Sequence, residues 1–153
     1  MNNEKTIEVL NTLVQINNDR IDGYETASKE TKEQDLQTFF GELTKTSKKN
    51  NHELSGEITR LGGTATDGTK TTGKFFRVWM DVKAALTGKD RLAILNSCEY
   101  GEDMAKDTYK KALENDSEHL SAEQQTMIKA QHKLLVADHD KVKALRDALK
   151  VVA

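Results

Sequence analysis

The stretch GGTATDGTKTTGKFFRVWMDVKAALTGKD, residues 62–90, decides how this chain folds. It separates two regions of strong helical patterning and is far longer than the roughly two to eight residues that join neighbouring helices in a bundle. Its first part, GGTATDGTKTTG, is rich in glycine and threonine and reads as a flexible link. The second part, KFFRVWMDVKAALTG, places Phe75, Trp79, Val82 and Leu86 on one face before Gly88, which predicts a short amphipathic helix. An extended stretch plus such a helix is long enough to travel the whole length of a bundle. The long helices on either side are therefore free to run parallel, which a tight turn would forbid.

Outward from this segment, apolar residues recur at alternating spacings of three and four. Asn2 and Asn3 are placed to cap a first helix with the inward series Ile7, Leu10, Val14, Asn17, Ile21, Tyr24 and Ser28. After the polar KETKEQD, a second helix carries Leu36, Phe40, Leu43, Ser47, Asn50, Leu54, Glu57 and Leu61, and stops at Gly62-Gly63. A third begins after Asp90 and runs Leu95, Cys98, Glu102, Ala105, Tyr109, Ala112. A fourth opens on Ser121 and Gln124 as a capping box and continues Ile128, Gln131, Leu135, Asp138, Val142, Leu145, Leu149. The first two helices are joined by a few residues, as are the last two, so each pair is expected to be an antiparallel hairpin. Two hairpins joined by one long crossover make an all-α, ferritin-like four-helix bundle, a single domain over residues 1–153 with its crossover at about 62–90.

Composition agrees. The absence of proline in 153 residues leaves long helices uninterrupted. The 23 basic and 25 acidic residues are interspersed and form no basic stripe, which argues against nucleic acid as a partner. A single cysteine cannot close an internal disulfide and favours a reducing compartment. MNNEKTIEVL lacks the apolar segment of a signal peptide, and the apolar runs are too short to cross a bilayer, so a cytoplasmic location is expected and a membrane partner is not.

LNTLVQINNDRIDGYETA (residues 10–27), RVWMDVKAALTGKDRLAILNSCEYGED (77–103) and HDKVKALRD (139–147) resemble a bacterial family of four-helix-bundle proteins. That family carries a domain-of-unknown-function label and is grouped with the ferritin-like superfamily. The resemblance implies the fold, and it implies function only by analogy. Metal-binding members of the superfamily place a glutamate on two helices and a Glu-x-x-His pair on the other two. This chain departs from that pattern: His52, His119, His132 and His139 follow Lys49, Asp116, Lys129 and Val136 at the required spacing.

Aligning the inward positions by the hairpin turns puts Asn17 opposite Asn50 and brings Glu102 to the height of Gln131. The expected mid-bundle layer is thus a polar core network of Asn17, Asn50, Gln131 and Glu102. Amides supply donors and acceptors to one another, and one carboxylate is too little charge for two irons. A turn or two above lie Glu25, Glu99, Asp138 and His139, which form either a boundary ion-pair cluster or part of a degenerate site for iron or another divalent metal. That metal site would use Glu25, Glu99, Glu102 and His139.

Other features read as structural. Glu57 lies near a helix end, where its carboxylate can reach water. Cys98 reads as a small core residue, and Tyr24 and Tyr109 as core residues that need hydroxyl partners. Asp19, Asp22 and Glu25 form a solvated helix face with weak calcium-chelating spacing. The crossover helix around Trp79 is expected to pack on its own bundle; a homodimer is a separate expectation, and a protein partner on the Trp79 helix is the further use of that face. The sequence favours a non-catalytic structural or stress-associated protein without a cofactor, with a metal-binding ferritin-like protein as the alternative.

Overall fold

The computed structural model of the protein describes residues 3–68 and 91–152. Four long helices account for nearly all of them: α1 (Asn3–Glu30), α2 (Gln34–Arg60), α3 (Arg91–Asn115) and α4 (Ala122–Val152), with a 3-10 turn at Ser117–His119 before α4. The described residues form an all-helical bundle. Asn2 and the crossover helix expected around Phe75, Trp79, Val82 and Leu86 lie outside the described residues.

The inward faces follow the heptad-like spacing, with one correction. On α1 the fully enclosed series is Thr6, Leu10, Leu13, Asn17, Arg20, Tyr24 and Ala27, each at most 1% exposed. The expected members Ile7, Ile21 and Ser28 are only half-buried. The face is rotated because Arg20, a charged residue that the apolar pattern passes over, finds carboxylate partners inside the bundle. On α3 every expected position from Leu95 to Ala112 is buried. On α2, Leu36 through Leu54 are buried and Glu57 is half-buried, its carboxylate accepting hydrogen bonds from Arg60 and from Gln124 Nε2 (3.1 Å). On α4 the series is buried from Ile128 to Val142, and Leu145 and Leu149 are half-buried.

Cross-helix pairs give the directions. Asn50 meets Asn17 and Ser47 meets Arg20, so α1 and α2 are antiparallel. Tyr109 meets Asn17 and Glu102 meets Arg20, so α1 and α3 are antiparallel too. It follows that α2 and α3 point the same way. Arg91 at the start of α3 agrees, since it pairs with Glu33 (2.8 Å) and Asp35 (2.6 Å) at the start of α2. The turn into α4 is closed by the expected capping box, with Gln124 N–H donating to Ser121 Oγ (3.1 Å) and Ser121 N–H donating to Gln124 Oε1 (2.8 Å). The Thr6 hydroxyl donates to the His119 carbonyl (2.5 Å), tying that turn to the first turns of α1.

At the end of α2, Gly62 takes the left-handed conformation (φ 86°). Gly63 N–H reaches back to the Ile58 carbonyl (2.9 Å) and Gly62 N–H to that of Thr59 (3.0 Å), the double closure of a Schellman motif. A Cβ on Gly63 would stand 2.8 Å from Ile7 Cδ1, so a side chain there would push the end of Ile7 aside, whereas Gly62 is needed for its backbone conformation. The chain then turns along α1, where Asn11 brackets it by donating to the Thr64 carbonyl (3.1 Å) and accepting from Thr66 N–H (2.9 Å). Asn18 donates to the carbonyls of Thr66 (3.1 Å) and Gly68 (3.0 Å). The first residues of the link are therefore strapped to α1. Gly62→Ala, which forces a side chain into the left-handed region, should lower stability by about 1–2 kcal/mol, read as a lower urea midpoint with an unchanged slope.

Candidate functional site

Two polar layers lie side by side in the middle of the bundle, each drawing one residue from every helix. The first is a closed ring of hydrogen bonds. Asn50 Nδ2 donates to Asn17 Oδ1 (3.3 Å), and Asn17 Nδ2 donates to the Tyr109 hydroxyl oxygen (2.7 Å). Tyr109 donates in turn to Gln131 Oε1 (2.7 Å), and Gln131 Nε2 donates to the backbone carbonyl of Asn50 (3.3 Å). Asn17, Asn50, Tyr109 and Gln131 are all fully enclosed. Every link pairs a donor with an acceptor, so the ring holds together without an ion.

The second layer is ionic. Arg20 projects from α1 with its side chain 1% exposed; Nη2 lies 2.7 Å from Glu102 Oε1 on α3 and 3.1 Å from Asp138 Oδ2 on α4. Its Nη1 donates to Ser47 Oγ on α2 (2.5 Å). Tyr24, one turn along α1, donates its hydroxyl proton to the same Glu102 oxygen, and the Arg20 guanidinium lies 5.5 Å from the centre of its ring. Burial by itself disfavours the guanidinium's charge, but Glu102 foremost, then Tyr24 and Asp138, outweigh it and raise its pKa. Burial first and the Glu102 carboxylate second hold the Tyr24 phenol, and likewise the Cys98 thiol, well above their ordinary values.

Asn17, Asn50 and Gln131 of the expected network thus come together, while Glu102 sits in the neighbouring layer and Tyr109 takes the place foreseen for it. The difference in register between α3 and α4 is one heptad: Tyr109, not Glu102, faces Gln131, and Glu102 reaches the level of Asp138. The turn at Ser117–His119 sets it, because α3 runs on to Asn115 before the chain reverses.

Of the residues proposed as metal ligands, Glu99 and His139 lie together at the seam of α3 and α4, with His139 Nε2 3.6 Å from Glu99 Oε1. Asp103, one turn beyond Glu99, joins them at 2.9 Å from the same nitrogen. Glu25 is turned away to Lys48 (3.0 Å), and Glu102 is engaged with Arg20. Sequence reasoning passed over Arg20 and Asp103. The first was signalled by its place in the Leu13, Asn17, Tyr24 spacing, and the second by its position four residues after Glu99 on the α3 face beside α4.

The di-iron centre implied by the ferritin-like resemblance does not fit these residues. Glu102 and Asp138 are the carboxylates that meet across the ionic layer, and a guanidinium that cannot release its proton already bridges them; Asp19, also enclosed, precedes Arg20 on α1. Glu102 Oε2 is buried without a hydrogen-bond donor, one oxygen where two irons would need many.

Arg20→Met should cost about 3–5 kcal/mol by leaving two enclosed carboxylates without a counter-charge. Adding Glu102→Gln should restore a large part of that loss, and urea unfolding of the two single variants and the double variant measures the non-additivity. Alkaline pH should also weaken the fold. Cys98, Tyr24 and Tyr109 have raised pKa values in the folded chain, so they stay protonated while the unfolded chain releases protons. Their contribution is complete below the unfolded values and declines from about pH 8.5 for the thiol and about pH 10 for the phenols. Thermal unfolding followed across that range should show a falling midpoint, and Cys98→Ala should remove the earlier part of the decline.

No curated protein matches the chain. The family described as "Domain of unknown function (DUF2383)" matches residues 5–115, a span that takes in Arg20, Glu102 and the whole of α2 and α3 and stops short of α4. The chain belongs to that domain-of-unknown-function family.

Proposed function

We propose that this protein is a non-catalytic, ferritin-like bundle with a structural or stress-associated role, in which an internal arginine and a ring of amides occupy the level of a di-iron centre. The observation that carries the reading is the Arg20 guanidinium between Glu102 and Asp138. A ferritin-like metal centre needs several carboxylates with unspent negative charge and an open path for substrate. Here a permanent internal cation occupies the space between the two carboxylates and balances one of their charges, and the neighbouring layer offers neutral groups already paired with one another. The two hairpins with α2 and α3 running the same way support the ferritin-like arrangement. The single, buried cysteine suits the reducing cytoplasm. None of the described helices is long and apolar enough to cross a membrane.

Anaerobic titration with ferrous iron, followed by exposure to oxygen, tests the reading. The expected result is no uptake of two irons per chain and no oxygen consumption above that of the buffer. Two irons per chain, held tightly and released on Glu102→Gln, would replace the structural reading with an oxidase or iron store.

A further inference from the structure

His139 stands between carboxylates on both sides of its ring. Nδ1 lies 3.3 Å from Asp140 Oδ1, while Nε2 faces Asp103 Oδ1 at 2.9 Å and Glu99 Oε1 at 3.6 Å. A neutral imidazole carries one proton. Nε2 faces two carboxylate oxygens and can give a proton to at most one of them, so the other oxygen is left facing the ring without a donor from it, a place that a cation between the three groups would fill. The surrounding charge leans the same way. Three carboxylates, those of Glu99, Asp103 and Asp140, stand around the ring with two cations, Arg146, which is shared with Asp147, and Lys106. The cluster is thus short of positive charge.

The spacing fits a metal ion. One ligand atom each from Glu99, Asp103 and His139 lies within 4.8 Å of the others. Bonds of roughly 2.0–2.2 Å to a tetrahedral ion set ligand atoms roughly 3.3–3.6 Å apart; the 3.6 Å from Nε2 to Glu99 falls at that value, and the 2.9 Å to Asp103 would have to widen slightly, which its exposed side chain permits. The supporting contacts are also in place. Arg146 holds Glu99 by Oε2, which leaves Oε1 turned to the cluster, and Asp140 on the far side of the ring completes a carboxylate–histidine pair of the kind that orients metal-bound imidazoles. Lys106 reaches Asp103 at 3.5 Å across exposed surface, a pair weak enough for a divalent ion to displace. Side-chain exposure rises from 11% at His139 to 16% at Glu99 and 53% at Asp103, so the remaining coordination positions open to water.

We propose that Glu99, Asp103 and His139 form a binding site for one divalent transition-metal ion of the zinc type at the α3–α4 seam. One imidazole with two carboxylates selects borderline ions such as Zn²⁺ or Co²⁺ over Mg²⁺ and Ca²⁺, which take oxygen ligands. The site is separate from the central layers, and the proposal does not depend on the structural reading of those layers.

Isothermal titration of the full chain with Zn²⁺, and with Co²⁺ followed by visible absorption, tests it. The expected result is one ion per chain, with the absorption band of a low-coordinate cobalt site. Asp103→Ala, a substitution at an exposed helical position that leaves the core intact, should weaken binding about tenfold or more, and Asp140→Asn should weaken it by about tenfold. Glu102→Gln should leave the stoichiometry unchanged, which separates this site from a central one. Nitrogen NMR of His139 should show Nε2 metal-bound on adding Zn²⁺. The proposal is overturned if Zn²⁺ in large excess shows no saturable binding, if Asp103→Ala and His139→Gln bind as the parent does, or if Mg²⁺ binds with equal strength.

Discussion

A guanidinium cannot shed its charge, and placing one in the middle of a helical bundle constrains everything around it. Arg20 must be met by carboxylates from other helices, and Glu102 on α3 and Asp138 on α4 supply them, with Ser47 on α2 and Tyr24 on its own helix completing the enclosure. This fixes the rotation of α1, whose enclosed face is the one that contains Arg20. It also fixes height. Apolar positions spaced by three and four repeat every heptad, so a helix that slides by seven residues still presents an apolar stripe. The polar pairs do not survive such a slide: Tyr109 would lose Gln131, and Glu102 would lose the level of Asp138. A buried ion pair adds little net stability compared with apolar packing, yet it discriminates strongly between registers because every alternative strands a charge.

The two central layers divide the work. The amide–phenol ring is neutral and closed on itself, whereas the ionic layer is charged and closed by the protein's own cation. The α3–α4 seam differs in exposure: the ring nitrogen of His139 faces Glu99 and the half-exposed Asp103 at the surface of the bundle. Among the described residues, this seam brings carboxylates and an imidazole together where water can reach them.

How much of this could be read from residues alone depends on how locally each feature is determined. The helix end at Gly62-Gly63 and the Ser121–Gln124 capping box are set by neighbours in sequence, and both stand as expected. The inward faces of α2, α3 and α4 follow from apolar spacing, and the Asn17–Asn50 pairing follows from a three-residue link. Two features were hidden. A buried arginine looks like a surface residue until its partners, 82 and 118 positions away, are known. The α3–α4 register differs from the expectation by one heptad because hydrophobic spacing cannot distinguish heptads; only the length of the turn and the polar partners do. The expected metal ligands are split for separate reasons: Glu102 turns inward to Arg20 and Glu25, on α1, to Lys48, while Asp103, on the face of α3 beside α4, stands next to His139.

Arg20 is the enclosed central cation, and hydrogen exchange at its guanidinium probes that enclosure most directly. In protein labelled with nitrogen-15 at arginine, the side-chain N–H signals of Arg20 should persist after those of Arg60 and Arg91 have exchanged, and decay only with the slow opening that exposes the core amides. Exchange at Arg20 as fast as at those surface arginines would mean that its side chain samples water freely. The central layer would then lack its cation, and the two carboxylates would be open to a different partner.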